Sequence, residues 1–108
     1  MQHKCKEWLQ AVGEIDHCVL CNSNYMLQVA HNNQGRGKGQ KAPDWETARL
    51  CGECHHDIDN GHTLSKFERR SLLTTAIVRT HSILIQSGKM LELMQIMNKR
   101  GLCCGITG

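Results

Sequence analysis

The chain has 108 residues, a formal charge of +3 and only four aromatic residues, Trp8, Tyr25, Trp45 and Phe67. That size suits one small domain with an aliphatic and methionine-based core, for which a structural metal is a natural support. No stretch approaches the roughly 18 apolar residues needed to span a bilayer, and the opening residues lack the apolar run of a signal peptide.

No membrane partner is therefore expected, and the location implied is cytoplasmic. In a reducing compartment, seven cysteines point to metal binding more than to disulfides. The mild basicity is compatible with a polyanionic partner without arguing for one.

Cys5, Trp8, Leu9 and Val12 fall at i, i+3, i+4 and i+7, which predicts an amphipathic helix ended by Gly13. Cys5 reads as a small packing residue. Cys18-Val-Leu-Cys21 is a first Cys-x2-Cys knuckle, followed by a turn at Asn22-Ser-Asn. Tyr25 to His31 reads as a strand with Tyr25, Leu27 and Val29 on one face and Met26, Gln28 and Ala30 on the other.

Residues 32 to 43 form a loop rich in glycine and basic residues, with Ala42 as its one apolar side chain. Trp45 to Leu50 supplies a second short strand leading into a second knuckle, Cys51-Gly-Glu-Cys54. A short helix from His55 is broken at Asn60-Gly61. Leu73, Ala76, Ile77, Thr80 and Leu84 make one face of a helix from about Leu64 to Gln86, interrupted by Gly88. Met90, Leu93, Met94 and Met97 then form a stripe that reads as core or as a dimer face. Cys103 and Cys104 sit in a Gly-rich tail.

The two knuckles, 29 residues apart, have the spacing of a four-thiolate zinc site, Cys18, Cys21, Cys51 and Cys54. Four thiolates leave the ion no position for water, so this zinc is expected to be structural. It should tie the strand to the short helix and bring His31 near His55.

His55 and Asp59, at i and i+4, share a helix face and suit a second divalent cation. His31, at a strand end beside the basic loop, suits a general base. An activated water, a stabilised transition state and a helped leaving oxygen are what phosphodiester hydrolysis needs. Each residue also has a plainer reading: His31 as a structural histidine, His55 as a zinc ligand, Asp59 as a turn cap.

The order Cys-x2-Cys, Val29-Ala30-His31, variable loop, Pro43-Asp44, Cys51-x2-Cys54-His55 resembles the HNH endonucleases, built on a ββα-metal finger. Ala30-His31, the Gly/Lys loop, Lys41-Ala-Pro-Asp44, Cys54-His-x3-Asp59 and Arg79-Thr80 with Leu84 and Gly88 are similar to the YbcO-like prophage nucleases. The resemblance spans roughly residues 14 to 90. It implies metal-dependent hydrolysis of DNA, with His31 as general base and His55 and Asp59 on a cation such as Mg2+ or Mn2+. Many HNH proteins carry a metal ligand just before the base. Here that position is Ala30, with His62 or His56 available to complete the set. The motif's central Asn is absent; Asp44 is either its orienting substitute or an acceptor for the loop.

Arg36, Lys38 and Lys41, spaced by glycines, suit contacts to DNA phosphates, whereas Arg69, Arg70, Lys99 and Arg100 read as solvated helix faces. The expected architecture is a small α+β, zinc-stabilised ββα-metal finger with an N-terminal helix and a helical C-terminal extension. It forms one domain over residues 1–100, with its finger at about 17–62, its extension at 63–100 and a flexible tail at 101–108. A homodimer through the C-terminal helices is the assembly anticipated. Two rival readings stand beside the nuclease: a non-catalytic zinc-knuckle module for nucleic acid or protein, and a structural subunit assembled through the Met-rich stripe.

Overall fold

A computed structural model of the chain describes residues 4–32, 42–60 and 62–101. The basic-loop residues Arg36, Lys38 and Lys41, together with Cys103, Cys104 and the tail from 102, lie outside the described residues. The elements run α1 (Lys6–Gly13), β1 (Leu27–His31), β2 (Thr47–Cys51), α2 (Gly52–Asn60), α3 (Lys66–Gln86) and α4 (Lys89–Lys99). The result is a small α+β fold around one antiparallel hairpin, as the sequence implied.

In that hairpin Leu27 faces Cys51 and His31 faces Thr47. The strands are shorter than the apolar pattern suggested. Met26 adopts a left-handed φ of 54°, which breaks the extended run, and the Tyr25 amide turns back onto Ser23 Oγ at 3.1 Å. Tyr25 is therefore 74% exposed and not a strand residue. At the other strand a turn from Pro43 to Glu46, closed by a 3.0 Å main-chain bond, delays β2 to Thr47. The second knuckle is itself the first turn of α2, so that helix starts at Gly52 rather than His55.

The hairpin separates two apolar clusters. On one side Ala30, Ala48 and Leu50 meet Cys18, Val19, Ile58 of α2 and Leu73, Ala76 and Ile77 of α3. On the other, Val29 and Trp45 pack against Cys5, Trp8, Val12 and Ile15 with Leu84, Leu93 and Met97. Each such fully buried aliphatic contributes about 1.5–3 kcal/mol. α3 buries the five residues that its periodicity assigned inward. It starts in a capping box in which Ser65 Oγ accepts from the Glu68 amide and the Glu68 carboxylate accepts from the Ser65 amide. Gly88, at φ 81°, turns the chain into α4. The Met-rich stripe is split: Leu93 and Met97 are buried, while Met94 is exposed.

β2 is sealed on its outer side. The Arg49 amide donates to Thr80 Oγ1 at 3.2 Å, and its carbonyl accepts from the Val19 amide at 3.0 Å. Thr80, fully buried, completes its hydrogen bonding by donating to Ala76 O. Among the described residues no helix is long and apolar enough to cross a membrane.

Candidate metal centre and histidine site

The Sγ atoms of Cys18, Cys21, Cys51 and Cys54 lie within 4.8 Å of one another. The hairpin explains why. Cys51 is the last residue of β2, Cys54 lies one helical turn later, and Val19 is bonded to Arg49 on the same strand. Asn22, in the left-handed region at φ 67°, turns the first knuckle back, with its amide on Cys18 O at 2.8 Å.

The donor set fits zinc. Cys21 and Cys51 sulfurs stand 3.6 Å apart, and tetrahedral Zn–S bonds of about 2.3 Å put sulfurs about 3.8 Å apart. The Cys54 amide supports Cys51 Sγ at 3.4 Å. Burial pushes the Cys18 thiol up, but main-chain hydrogen bonds around Cys21, Cys51 and Leu20 outweigh it and bring its pKa to about 6. Burial and the neighbouring sulfurs push the Cys54 thiol up. Four adjacent thiolates need a cation between them, and a metal such as zinc would supply it.

His31 ends β1 with its side chain toward α1. Its Nε2 lies 3.0 Å from Asp44 Oδ1. Because an ionised carboxylate only accepts, Nε2–H is the donor and Nδ1 keeps a lone pair. The other oxygen, Asp44 Oδ2, accepts the Cys5 amide at 2.7 Å. Thr47, fully buried, donates its hydroxyl to Asp44 O at 2.9 Å. Asp44 therefore bears directly on His31, and it also accepts from the start of α1.

His55 and Asp59 meet on α2 as their spacing suggested, with Nε2 and Oδ2 3.0 Å apart. Cis ligands on an octahedral cation with bonds of about 2.1 Å are about 3.0 Å apart, so the pair fits two positions of such an ion. Gln28 Oε1 sits 2.6 Å from His55 Nδ1. These residues, with Gly52, His56 and Asn60, line a hollow of about 250 Å3, which shares Gln28, Gly52 and His56 with a wider groove beside Tyr25 and Met26.

The hairpin does not bring His31 to His55. Strand alternation sends Gln28 and Ala30 toward α2 and Val29 and His31 toward α1, so His55 meets Gln28 instead. His62 is exposed. Among the described residues, the four cysteines are the one group of three or more metal-ligating side chains drawn together.

Sequence reasoning missed three contributors: Gln28, Thr47 and the Cys5 amide. The alternation of β1 put Gln28 on the face of Ala30, but did not say which helix covers that face. Thr47, opposite His31, was legible only once the register was known. No protein-family model, no curated protein and no solved structure matches the chain.

Proposed function

We propose that this chain is a metal-dependent endonuclease of the HNH kind that hydrolyses DNA phosphodiester bonds. Its resemblance to prophage nucleases suggests a phage or prophage origin and a bacterial cytoplasm. The observation that carries the reading is the His31–Asp44 pair, a histidine at a strand end with one ring nitrogen held by a buried carboxylate. That arrangement leaves Nδ1 as the acceptor for a proton from water, and Asp44 stabilises the imidazolium that forms. Once protonated, His31 gives the proton up to solvent.

His55 and Asp59 would hold a divalent cation such as Mg2+ or Mn2+. When bound, that ion supplies charge stabilisation at the phosphoryl oxygens and the leaving oxygen. Gln28 orients the His55 ring through Nδ1. Arg36, Lys38 and Lys41 would contact backbone phosphates, and the four cysteines would hold the structural zinc.

One observation favours a second reading, a non-catalytic zinc-knuckle module that binds nucleic acid or a protein. The hairpin holds His31 on the face away from His55 and Asp59, so base and cation do not meet on one phosphate here, while Ala30, buried under α2 and α3, offers the cation nothing. Supercoiled plasmid separates the two readings. Wild type, stripped with EDTA and resupplied with Mg2+ or Mn2+, should nick it, and His31→Ala should not. Binding without cleavage under any cation would favour the module.

A further inference from the structure

We propose that Cys21 is an oxidation site for peroxides, and that its oxidation joins it to Cys51, releases the structural zinc and frees α2. The four sulfurs lie within 4.8 Å of one another, yet their surroundings differ. Cys18 and Cys51 are buried and Cys54 is half-buried, whereas Cys21 is exposed. Bound zinc keeps all four as thiolates, the form that attacks an oxidant. A peroxide arriving from solvent therefore meets the Cys21 sulfur first.

The sulfur that resolves it follows from the neighbourhood of Cys21. Cys51 Sγ stands 3.6 Å away, and a disulfide of about 2.05 Å needs the pair to close by about 1.5 Å. Cys18 Sγ draws on main-chain N–H groups of Cys21, Cys51 and Leu20, donors that a weakly accepting disulfide sulfur would leave poorly satisfied. Cys51 Sγ accepts from the Cys54 amide at 3.4 Å, a polarised group that steadies it as the second thiolate.

The chemistry needs only the peroxide. Cys21 Sγ attacks one oxygen of hydrogen peroxide and the O–O bond breaks. That oxygen stays on sulfur as a sulfenic acid, and the other leaves as hydroxide. Cys51 Sγ then attacks the sulfenic sulfur, the S–S bond forms and a second hydroxide leaves. Two thiolates have given up two electrons, and the peroxide has been reduced to two hydroxides that take protons from solvent.

Zinc is then left with Cys18 and Cys54, half of the set that held it, and is released. The consequence falls unevenly. The new bond still ties the first knuckle to the end of β2, across the same 29 intervening residues. α2 has no such tie. Ile58 is the one residue that helix buries, and its anchor to the first knuckle is Cys54 on the shared ion. His55 and Asp59 ride on α2, so the hollow they line loosens with it.

The zinc-loaded full chain should be titrated with hydrogen peroxide while a chromogenic chelator reads zinc release and peptide mass mapping locates the disulfide. One zinc should appear for each Cys21–Cys51 bond, with partial loss of the far-UV helix signal. Dithiothreitol with added zinc should restore both. Cys21→His keeps a zinc ligand that does not form disulfides, and it should hold its zinc under the same peroxide. Zinc retained by wild type while Cys103 and Cys104 oxidise would overturn the proposal. So would a disulfide mapped to another pair, or release from Cys21→His as fast as from wild type. Should Cys21→His fail to bind zinc, the mapping on wild type still decides. Loss of plasmid nicking on oxidation is the one readout that rests on the nuclease reading. A protein that never nicks would sink that reading and leave the zinc and disulfide readouts intact.

Discussion

Replacing Asp44 by Asn should separate the structural role of this side chain from its chemical one. Asp44 accepts from two donors on different oxygens, the Cys5 amide on Oδ2 and His31 Nε2–H on Oδ1. An amide side chain has one oxygen and can serve one donor. The Cys5 N–H is fixed by the start of α1, whereas an imidazole can change tautomer. Asn is therefore expected to keep its oxygen on Cys5 and present NH2 to His31. Nε2 must then accept, and the proton moves to Nδ1, where a general base needs its lone pair. A hydrogen bond to a charged acceptor is worth about 1.5–3 kcal/mol, so its conversion to a neutral one should cost only about 1 kcal/mol of stability. Asp44→Ala removes both bonds and leaves the Cys5 amide unsatisfied, for a loss of about 3–5 kcal/mol.

Urea unfolding of the zinc-loaded variants measures these losses, and nitrogen-15 shifts of the His31 ring report the tautomer. Plasmid nicking should fall with Asn as far as it does with His31→Ala. An Asn variant that switches tautomer yet nicks at the wild-type rate would refute the role given to Nδ1. Equal stability of Asn and Ala would refute the shared acceptor.

Cys54→Ser, or prolonged chelation of the wild type, should abolish the native far-UV circular dichroism. A structural zinc in a small domain is worth on the order of 10 kcal/mol, comparable to the whole stability of such a fold; a retained native spectrum would exclude this. Changing Arg36, Lys38 and Lys41 together to Ala should weaken DNA binding and lower its logarithmic salt slope by between about 2 and 3. An unchanged slope would remove the loop from the binding surface. Glu7 is paired with Arg100 across α1 and the end of α4, a bond that holds its carboxyl at about 2 against an ordinary value of 4.5. A lowered carboxylate stabilises fully above 4.5 and loses that contribution as pH falls toward about 2. The melting-temperature difference between wild type and Glu7→Gln should therefore shrink across that window and stay constant above it; a difference growing on acidification would contradict the pairing.

Much of this architecture was legible in sequence, and the reasons are specific. The inward face of α3 followed from period alone, because five apolar or small residues share one stripe. The cysteine cluster followed from two matched knuckles, since soft ligands at that spacing have few other uses. The misplaced strand ends are equally instructive. Tyr25 and Met26 carry strand-forming side chains, but a left-handed backbone at Met26 is invisible to residue type. The His31–Asp44 contact crosses a loop, and loop closure is not written in periodicity. The separation of His31 from His55 depended on which side of the hairpin each helix takes. That is a question of packing two apolar clusters, and β1 alone, with Val29 and Ala30 both apolar, does not decide it.

The capping of Arg49 by Thr80 and Val19 bears on how this molecule avoids polymerising. A two-stranded sheet is all edge, and exposed ladders invite strands from other chains. Here the middle of β2 has already spent its outward amide and carbonyl, one on a buried hydroxyl and one on the first knuckle. A foreign strand arriving there would find no ladder to extend. It could add only along β1, a strip of five residues too short to template much. Thr80, which in sequence reads as one more member of the inward stripe of α3, is thus a guard. Thr80→Val would keep the shape of the core and leave α3 over that edge, but it would strand the Arg49 amide without an acceptor, a loss of about 1–3 kcal/mol.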